Sequence, residues 1–296
     1  MTKMTNSGAA ERTMSRREAA SMLLWLVGGA AGLGTGLLAC EGGGGATADG
    51  DGDDADAGSG GDTGASSSSS SGGSAVAWAT GGTAAMTASA SYPDPFATTT
   101  AGASCVLAQT ATEGPCTEAA DQVRKDISEG FTGLPMRLAL RVVDASCNPI
   151  AGAKVKVWHT QINGSYSGDT PNNGMCLKDQ SDSSKHYFRG VQTTDANGRV
   201  DFDSCFPGWY RGRTVHIHFT VTLGSKSYTS QLVFDDTLVA ELFASHAEYK
   251  GYGQPDTTNT NDNVVGRGTL ASYVLATTRT SDGAMLASKQ LVVAVT

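Results

Sequence analysis

Two histidines, His216 and His218, stand one residue apart in the run Thr214-Val215-His216-Ile217-His218-Phe219-Thr220-Val221. Val215, Ile217, Phe219, Val221 and Leu223 alternate there with His216, His218, Thr220 and Thr222, which is the period of a strand with one apolar and one polar face. Both imidazoles therefore leave the strand on the same side. Neutral imidazole is a common metal ligand, and a pair on one strand face, just after the turn Pro207-Gly208-Trp209-Tyr210, has the spacing of two ligands to one ion. The spacing alone leaves metal binding and ordinary packing both open. Two tyrosines lie in unusual settings nearby. Tyr210 closes the turn six residues before His216, and Tyr166 follows the run from Val157 to Ser165. Each by itself reads as a half-buried phenol.

Five cysteines follow Cys40, namely Cys105, Cys116, Cys147, Cys176 and Cys205. None has the C-x-x-C spacing of a zinc site, and disulfides between some of them are the expectation, with at least one thiol left over. Cys205, near the histidines, is set apart from that expectation. Among the other candidates, Trp158 reads as core and His159 as a hydrogen-bonded structural histidine. His186 and His246 read as surface residues, and Asp195-Ala196-Asn197-Gly198 as a hairpin turn.

The elements that must position these side chains are short. Runs rich in Val, Leu, Thr and aromatics cover Met136 to Val143, Lys154 to Trp158, Arg199 to Phe202, Thr214 to Leu223, Ser227 to Phe234, Ser272 to Thr278 and Gln290 to Val295. Turn signals separate them, and seven such runs predict an all-β fold, a β-sandwich with long loops. One helix is expected from Asp236 or Thr237 to about Tyr249, where Leu238, Leu242, Phe243 and Ala247 share a face and Gly251 follows as a stop.

The rest of the chain divides by composition. Residues 1–40 carry Ser15-Arg16-Arg17, an apolar run from Ala19 to Ala39, and Leu37-Leu38-Ala39-Cys40. The twin arginine resembles a bacterial twin-arginine export signal, and the last four residues resemble a lipobox that would leave Cys40 as a lipid-anchored N-terminus. Residues 41–100 are Gly, Ser, Ala, Thr and Asp with few large apolar side chains, which predicts a flexible tether before a single domain at 101–296. Glu41, Asp49, Asp51, Asp53, Asp54, Asp56 and Asp62 carry most of the net charge of −8, so the domain is only mildly acidic. No basic patch argues for nucleic acid.

Three segments, GAKVKVWHTQINGSYSG, FRGVQTTDANGRVDF and PGWYRGRTVHIHF, together resemble the intradiol ring-cleavage dioxygenases, in particular the compact exported branch. The resemblance runs from Thr112-Glu113-Gly114-Pro115 to Phe234. It implies that Tyr166, Tyr210, His216 and His218 hold a non-haem Fe(III), that Arg213 stabilises charge developing on the substrate, and that Gln231 lines the pocket. It also implies a catechol-type diol and O2 as substrates, proton uptake by a displaced Tyr210, and a muconate-type diacid as product. Two phenolates suit a hard trivalent ion, and no carboxylate lies in VHIHF to complete a ferrous facial triad. Cys116 stands where the family often has an aromatic residue. The helical dimerisation region of cytosolic relatives has no counterpart, so a monomer is expected. Two other functions fit the bare residues: a non-catalytic surface β-sandwich that binds a polymer or sugar, and a zinc hydrolase using His216 and His218.

Overall fold

The computed structural model describes residues 76–87, 92–98, 105–170 and 175–294. The expected export signal, Cys40 and the acidic part of the expected tether lie outside them. Among the described residues eight strands form two four-stranded sheets: β1 (Pro135–Val143), β2 (Lys154–Trp158), β3 (Arg189–Thr193), β4 (Arg199–Cys205), β5 (His216–Leu223), β6 (Lys226–Val233), β7 (Ala276–Arg279) and β8 (Met285–Val292). One sheet has the order β4-β1-β8-β7 and the other β3-β2-β5-β6. All neighbours are antiparallel except β1 and β8.

The sandwich follows from period-two alternation. Met136, Leu138, Leu140 and Val142 of β1 and Val155, Val157, Ile217, Phe219 and Val221 of the second sheet belong to one buried cluster between the sheets. Full burial of each such side chain is worth about 1.5–3 kcal/mol, the main term holding the layers together. The alternate residues of β5, His216, His218 and Thr220, face away from that cluster.

Two expected strands are shifted. Residues Leu270–Ser272 form a 3₁₀ turn and β7 starts at Ala276, while β8 lies earlier than the apolar run at its end suggests. The eighth strand, β3, is short and polar. The turn at Asp195 forms, with Gly198 N donating to Asp195 O and the Asp195 carboxylate accepting from Asn197 N and Arg199 N. It is not a hairpin, because β3 and β4 belong to different sheets.

The boundary at residue 101 also moves. Trp78 packs on the main core under the Arg279 guanidinium, 3.9 Å from its ring centroid. Ala79 N donates to Gly283 O and Gly82 N to Gly133 O. Phe96 packs with Tyr92, Ala139 and Leu286 on the outer face of the first sheet, where Arg137 lies over Tyr92. A few aromatics in a polar stretch thus dock 76–87 and 92–98 onto the domain.

The helix α1 (Asp236–Ser245) is capped by Asp235, whose carboxylate accepts from Thr237 N and Leu238 N. It stops at His246, short of Tyr249, because His246 is extended and is not a surface residue: its Nε2 donates to Ala79 O at 2.9 Å while Nδ1 accepts from Glu248 N. His186 is half-buried against the Glu118 carboxylate. His159 is buried between Thr160 O and Ser204 Oγ, and burial lowers its pKa to about 4. Cys105 pairs with Cys147 and Cys116 with Cys176. Cys205 is a buried thiol on the other sheet beside Phe131, Tyr187 and Phe188, pushed up to about 12 by burial and the nearby carboxylates, and takes no part in the site. Among the described residues no helix is long and apolar enough to cross a membrane.

Candidate metal centre

The second sheet carries one functional rung on its outer face. Strand register places Arg189 opposite Trp158, Trp158 opposite His218, and His218 opposite Gln231, so four side chains from four strands stand in a row. His216 follows two residues back along β5. The Trp158 indole stacks on His218, with centroids 4.8 Å apart and planes within 7°. Trp158 is core, as its type suggests, and it also fixes the plane of a candidate ligand.

Two loops bring the tyrosines over this row by backbone contact that only glycine allows. A Cβ on Gly208 would lie 2.2 Å from Ile162 O, and one on Gly164, whose φ is +79°, would lie 2.0 Å from Trp209 O. Thr160 Oγ1 donates to Gly208 O at 2.7 Å, locking the turn that ends in Tyr210 against the turn that leads into Tyr166. Behind Tyr166, its carbonyl accepts from the Tyr187 hydroxyl and its N–H donates to Cys176 O. Arg189 donates to Ser167 O and Cys116 O, and the Cys116–Cys176 disulfide packs on Tyr166 and Trp158.

The four expected ligand atoms converge. His216 Nε2 and His218 Nε2 are 3.1 Å apart; Tyr166 Oη is 3.2 Å from the first and 3.1 Å from the second; Tyr210 Oη is 3.2 Å from His216 Nε2. His216 Nδ1 donates to Thr214 O at 2.6 Å, which leaves the Nε2 lone pair aimed at the centre. Burial, reinforced for His216 by Arg213 and for His218 by His216, keeps both imidazoles neutral: His216 falls to about 3 and His218 lies well below its usual value. Burial raises both phenols, Tyr166 strongly, and Arg213 partly offsets the rise at Tyr210. Neutral imidazoles and phenols that need a cation to ionise fit a metal ion at this point. No group of three or more His, Cys, Asp or Glu side chains forms a metal site among the described residues. The donor set of two phenols and two imidazoles suits ferric iron better than zinc.

Arg213 sits at the rim, with Nη1 3.4 Å from Tyr210 Oη and 3.5 Å from His216 Nε2. Burial opposes its charge, and Tyr210 and Asp262 outweigh it, so its pKa is raised. Gln231 does not reach the cavity as a free pocket group. Its Oε1 accepts from Arg213 Nη2 and its Nε2 donates to Thr112 O at 2.8 Å, so it acts as a positioning residue. Sequence reasoning missed Asp262. Its Oδ2 accepts from Arg213 Nε at 2.8 Å and Thr214 N at 3.0 Å, and its Oδ1 from Val264 N and Val265 N. Its only sequence signal is a polar Asn-Thr-Asn-Asp stretch of the kind that usually marks a turn.

A cavity of 410 Å³ opens beside the four atoms, lined by Thr112, Pro115, Cys116, Tyr210, Arg213 and His218 among others. Cys116, in its disulfide, supplies the wall at the position where the family that the sequence resembles often has an aromatic residue.

Residues 110–272 match the family model described as Dioxygenase. Among solved structures the chain is similar to an intradiol ring-cleavage dioxygenase from Tetranychus urticae, 27% identical over 64% of this chain and 95% of that one, with a TM-score of 0.58. A second dioxygenase structure is 28% identical over the same shares, with a TM-score of 0.56. The catechol 1,2-dioxygenase from Pseudomonas arvilla C-1 is 21% identical over 62% of this chain and 60% of that one, with a TM-score of 0.42. No curated protein matches the sequence.

Proposed function

Since the chain belongs to the intradiol ring-cleavage dioxygenase family, we propose that it holds a non-haem Fe(III) on Tyr166, Tyr210, His216 and His218 and opens a catechol-type ring between its two hydroxyl-bearing carbons. One O2 is consumed per ring, and both oxygen atoms enter a muconate-type diacid. The observation that carries this reading is the convergence of two phenol oxygens and two imidazole nitrogens, with His216 Nε2 3.1–3.2 Å from each of the other three and Tyr166 Oη 3.1 Å from His218 Nε2.

The ferric ion, when bound, supplies the electronic coupling that makes an aromatic diol reactive toward O2. The protein does the rest. His216 and His218 present fixed lone pairs, their planes set by Thr214 O and by Trp158. Tyr166, fully buried and tied to Cys176 and Tyr187, stays in place. Tyr210, half-buried at the cavity wall, would be a phenolate when the ion is bound, and as that anion it can move aside and take up a proton from an incoming hydroxyl at its Oη. Arg213 favours negative charge where it develops on the substrate, and Asp262 and Gln231 hold its guanidinium in advance.

The same proposal places the protein outside the cytoplasm as a monomer anchored through lipid on Cys40. The twin-arginine and lipobox-like residues support it, and so do two disulfides, which persist in oxidising compartments. Cys40→Ser should release the protein from membranes; firm attachment of that variant would refute the anchor.

The decisive experiment is the visible spectrum of the purified protein with and without catechol in the absence of O2. A tyrosinate-to-iron band that moves to longer wavelength on binding, and is lost in Tyr166→Phe, is the expected result. A colourless, zinc-loaded protein indifferent to catechol would overturn the reading. So would ring cleavage that survives both Tyr210→Phe and His216→Ala at normal iron content.

A further inference from the structure

A second cavity of 360 Å³ adjoins the first, and the two share Tyr210, Arg211 and Met175 in their linings. Its own lining is Trp209, Tyr252, Lys178 and Asn163. A cavity of about 150 Å³ is enough to hold a benzene ring. The first cavity therefore already has room for a diol ring, and the second is space that a simple catechol has no group to fill.

The chemistry of that space is specific. Trp209 is fixed by its Nε1–H to Gly253 O at 3.1 Å, so its ring is a rigid wall rather than a mobile surface group. Tyr252, 43% exposed, stands in a short 3₁₀ turn, Lys250–Tyr252, and presents an aromatic surface to the cavity. Lys178 brings a cation to the floor, hydrogen-bonded to Asn163 O and partly desolvated. Arg211, on the shared wall, forms no ion pair within 4 Å among the described residues. Among the described lining residues, two aromatic faces and two cations with no carboxylate complement a planar or aliphatic arm that ends in an anion.

We propose that this cavity is a substituent subsite, and that the preferred substrate is a catechol carrying a side arm that ends in a carboxylate, with the arm against Trp209 and Tyr252 and the carboxylate at Lys178 and Arg211. This rests on the dioxygenase reading for the diol end of the molecule only.

The test uses 3-(3,4-dihydroxyphenyl)propanoate against 4-propylcatechol, which keeps the arm and lacks the carboxylate. The non-chelating 3-phenylpropanoate serves as a binding probe that needs neither iron nor turnover. In the wild type kcat/KM for the carboxylate should exceed that for 4-propylcatechol. Lys178→Gln should lower it roughly fivefold, as removal of one partly exposed charge contact does, and leave 4-propylcatechol unchanged. Tyr252→Ala should lower both extended substrates roughly three- to tenfold and leave unsubstituted catechol unchanged. Calorimetry should show 3-phenylpropanoate binding to the wild type and weakened binding to both variants. Equal kcat/KM for the carboxylate and its propyl analogue, or 3-phenylpropanoate binding that is absent or unaffected by Lys178→Gln, would overturn the subsite while leaving catechol cleavage intact. Failure to cleave catechol itself, with 3-phenylpropanoate binding as expected, would overturn the dioxygenase reading and uphold the cavity as a carboxylate-arm site.

Discussion

Asp262→Asn isolates the group that aims Arg213. The carboxylate is fully buried and serves two sides at once: Oδ2 takes Arg213 Nε and Thr214 N, and Oδ1 takes Val264 N and Val265 N. Asparagine has the same shape but only one acceptor oxygen. Whichever way its amide turns, the NH2 group faces two N–H donors, so two hydrogen bonds go and the arginine loses its counter-charge. Removing one partner of a buried ion pair costs about 3–5 kcal/mol. Arg213 is 13% exposed, which puts the expectation at the low end, about 3 kcal/mol. For a folded part of this size that lowers the melting temperature by about 6–12 °C. Arg213 would also lose its orientation at the cavity, so kcat/KM for catechol should fall about 10–100-fold, while iron content, which on the proposed reading depends on four other side chains, should hold. The pH dependence has a definite sign. Burial pushes the Asp262 carboxyl up, but hydrogen bonds from Arg213 and Val265 more than reverse this and hold it below the usual carboxylate range. Its folded pKa is therefore depressed, and the stabilisation is present above the unfolded value of about 3.9 and lost as pH falls through the folded one. The stability gap between wild type and variant should be full at neutral pH and narrow in acid. The assays are thermal melts across pH and steady-state catechol turnover. A variant within about 1 °C and twofold of the wild type at pH 7 would refute the argument that Asp262 holds Arg213.

Three other perturbations test the supports of the site. Replacing both Cys116 and Cys176 by Ser removes a cross-link spanning 60 residues, for which chain entropy gives about 4 kcal/mol; the denaturation midpoint should drop and iron should be retained less well, because Cys176 O anchors Tyr166 N. Gly208→Ala places a methyl against Ile162 O and should abolish the iron–tyrosinate band while far-ultraviolet circular dichroism stays that of a β protein; an unchanged band would show that the interlocked turns do not position Tyr210. Phe96→Ala should destabilise the domain by about 3 kcal/mol in denaturant melts, and an unchanged midpoint would mean that 92–98 contributes no packing to the first sheet.

The outer-face histidines and the sandwich class were legible because period-two alternation around His216 and His218 is the same signal that builds the strand. The two tyrosines were legible only as part of a family pattern, since nothing local distinguishes Tyr166 from a core phenol. What the sequence hid falls into two kinds. Asp262, and the hold of Gln231 on Arg213, act through partners 49 and 18 positions away in sequence, and pair by tertiary geometry that no local spacing encodes. Segments such as 76–87 and 92–98 look like tether because their composition is polar, yet Trp78, Tyr92 and Phe96 are enough to dock them. The displaced strands at the end of the chain fail for a related reason: Met285–Val292 is buried on both faces in part, so alternation does not mark where it starts.

The row Arg189, Trp158, His218 and Gln231 makes the second sheet a partition between two sets of demands. On one side Val157, Ile217, Phe219 and Leu232 carry cohesion; on the other stand the candidate ligands and the side chains that hold them, and the backbone ladder is the wall between them. Selection can therefore retune one side with little penalty on the other. Substitutions on opposite sides that share no partner should combine additively, to within about 0.5 kcal/mol, whereas those along the row should not. Such an architecture allows the outer face to change while the interior is kept.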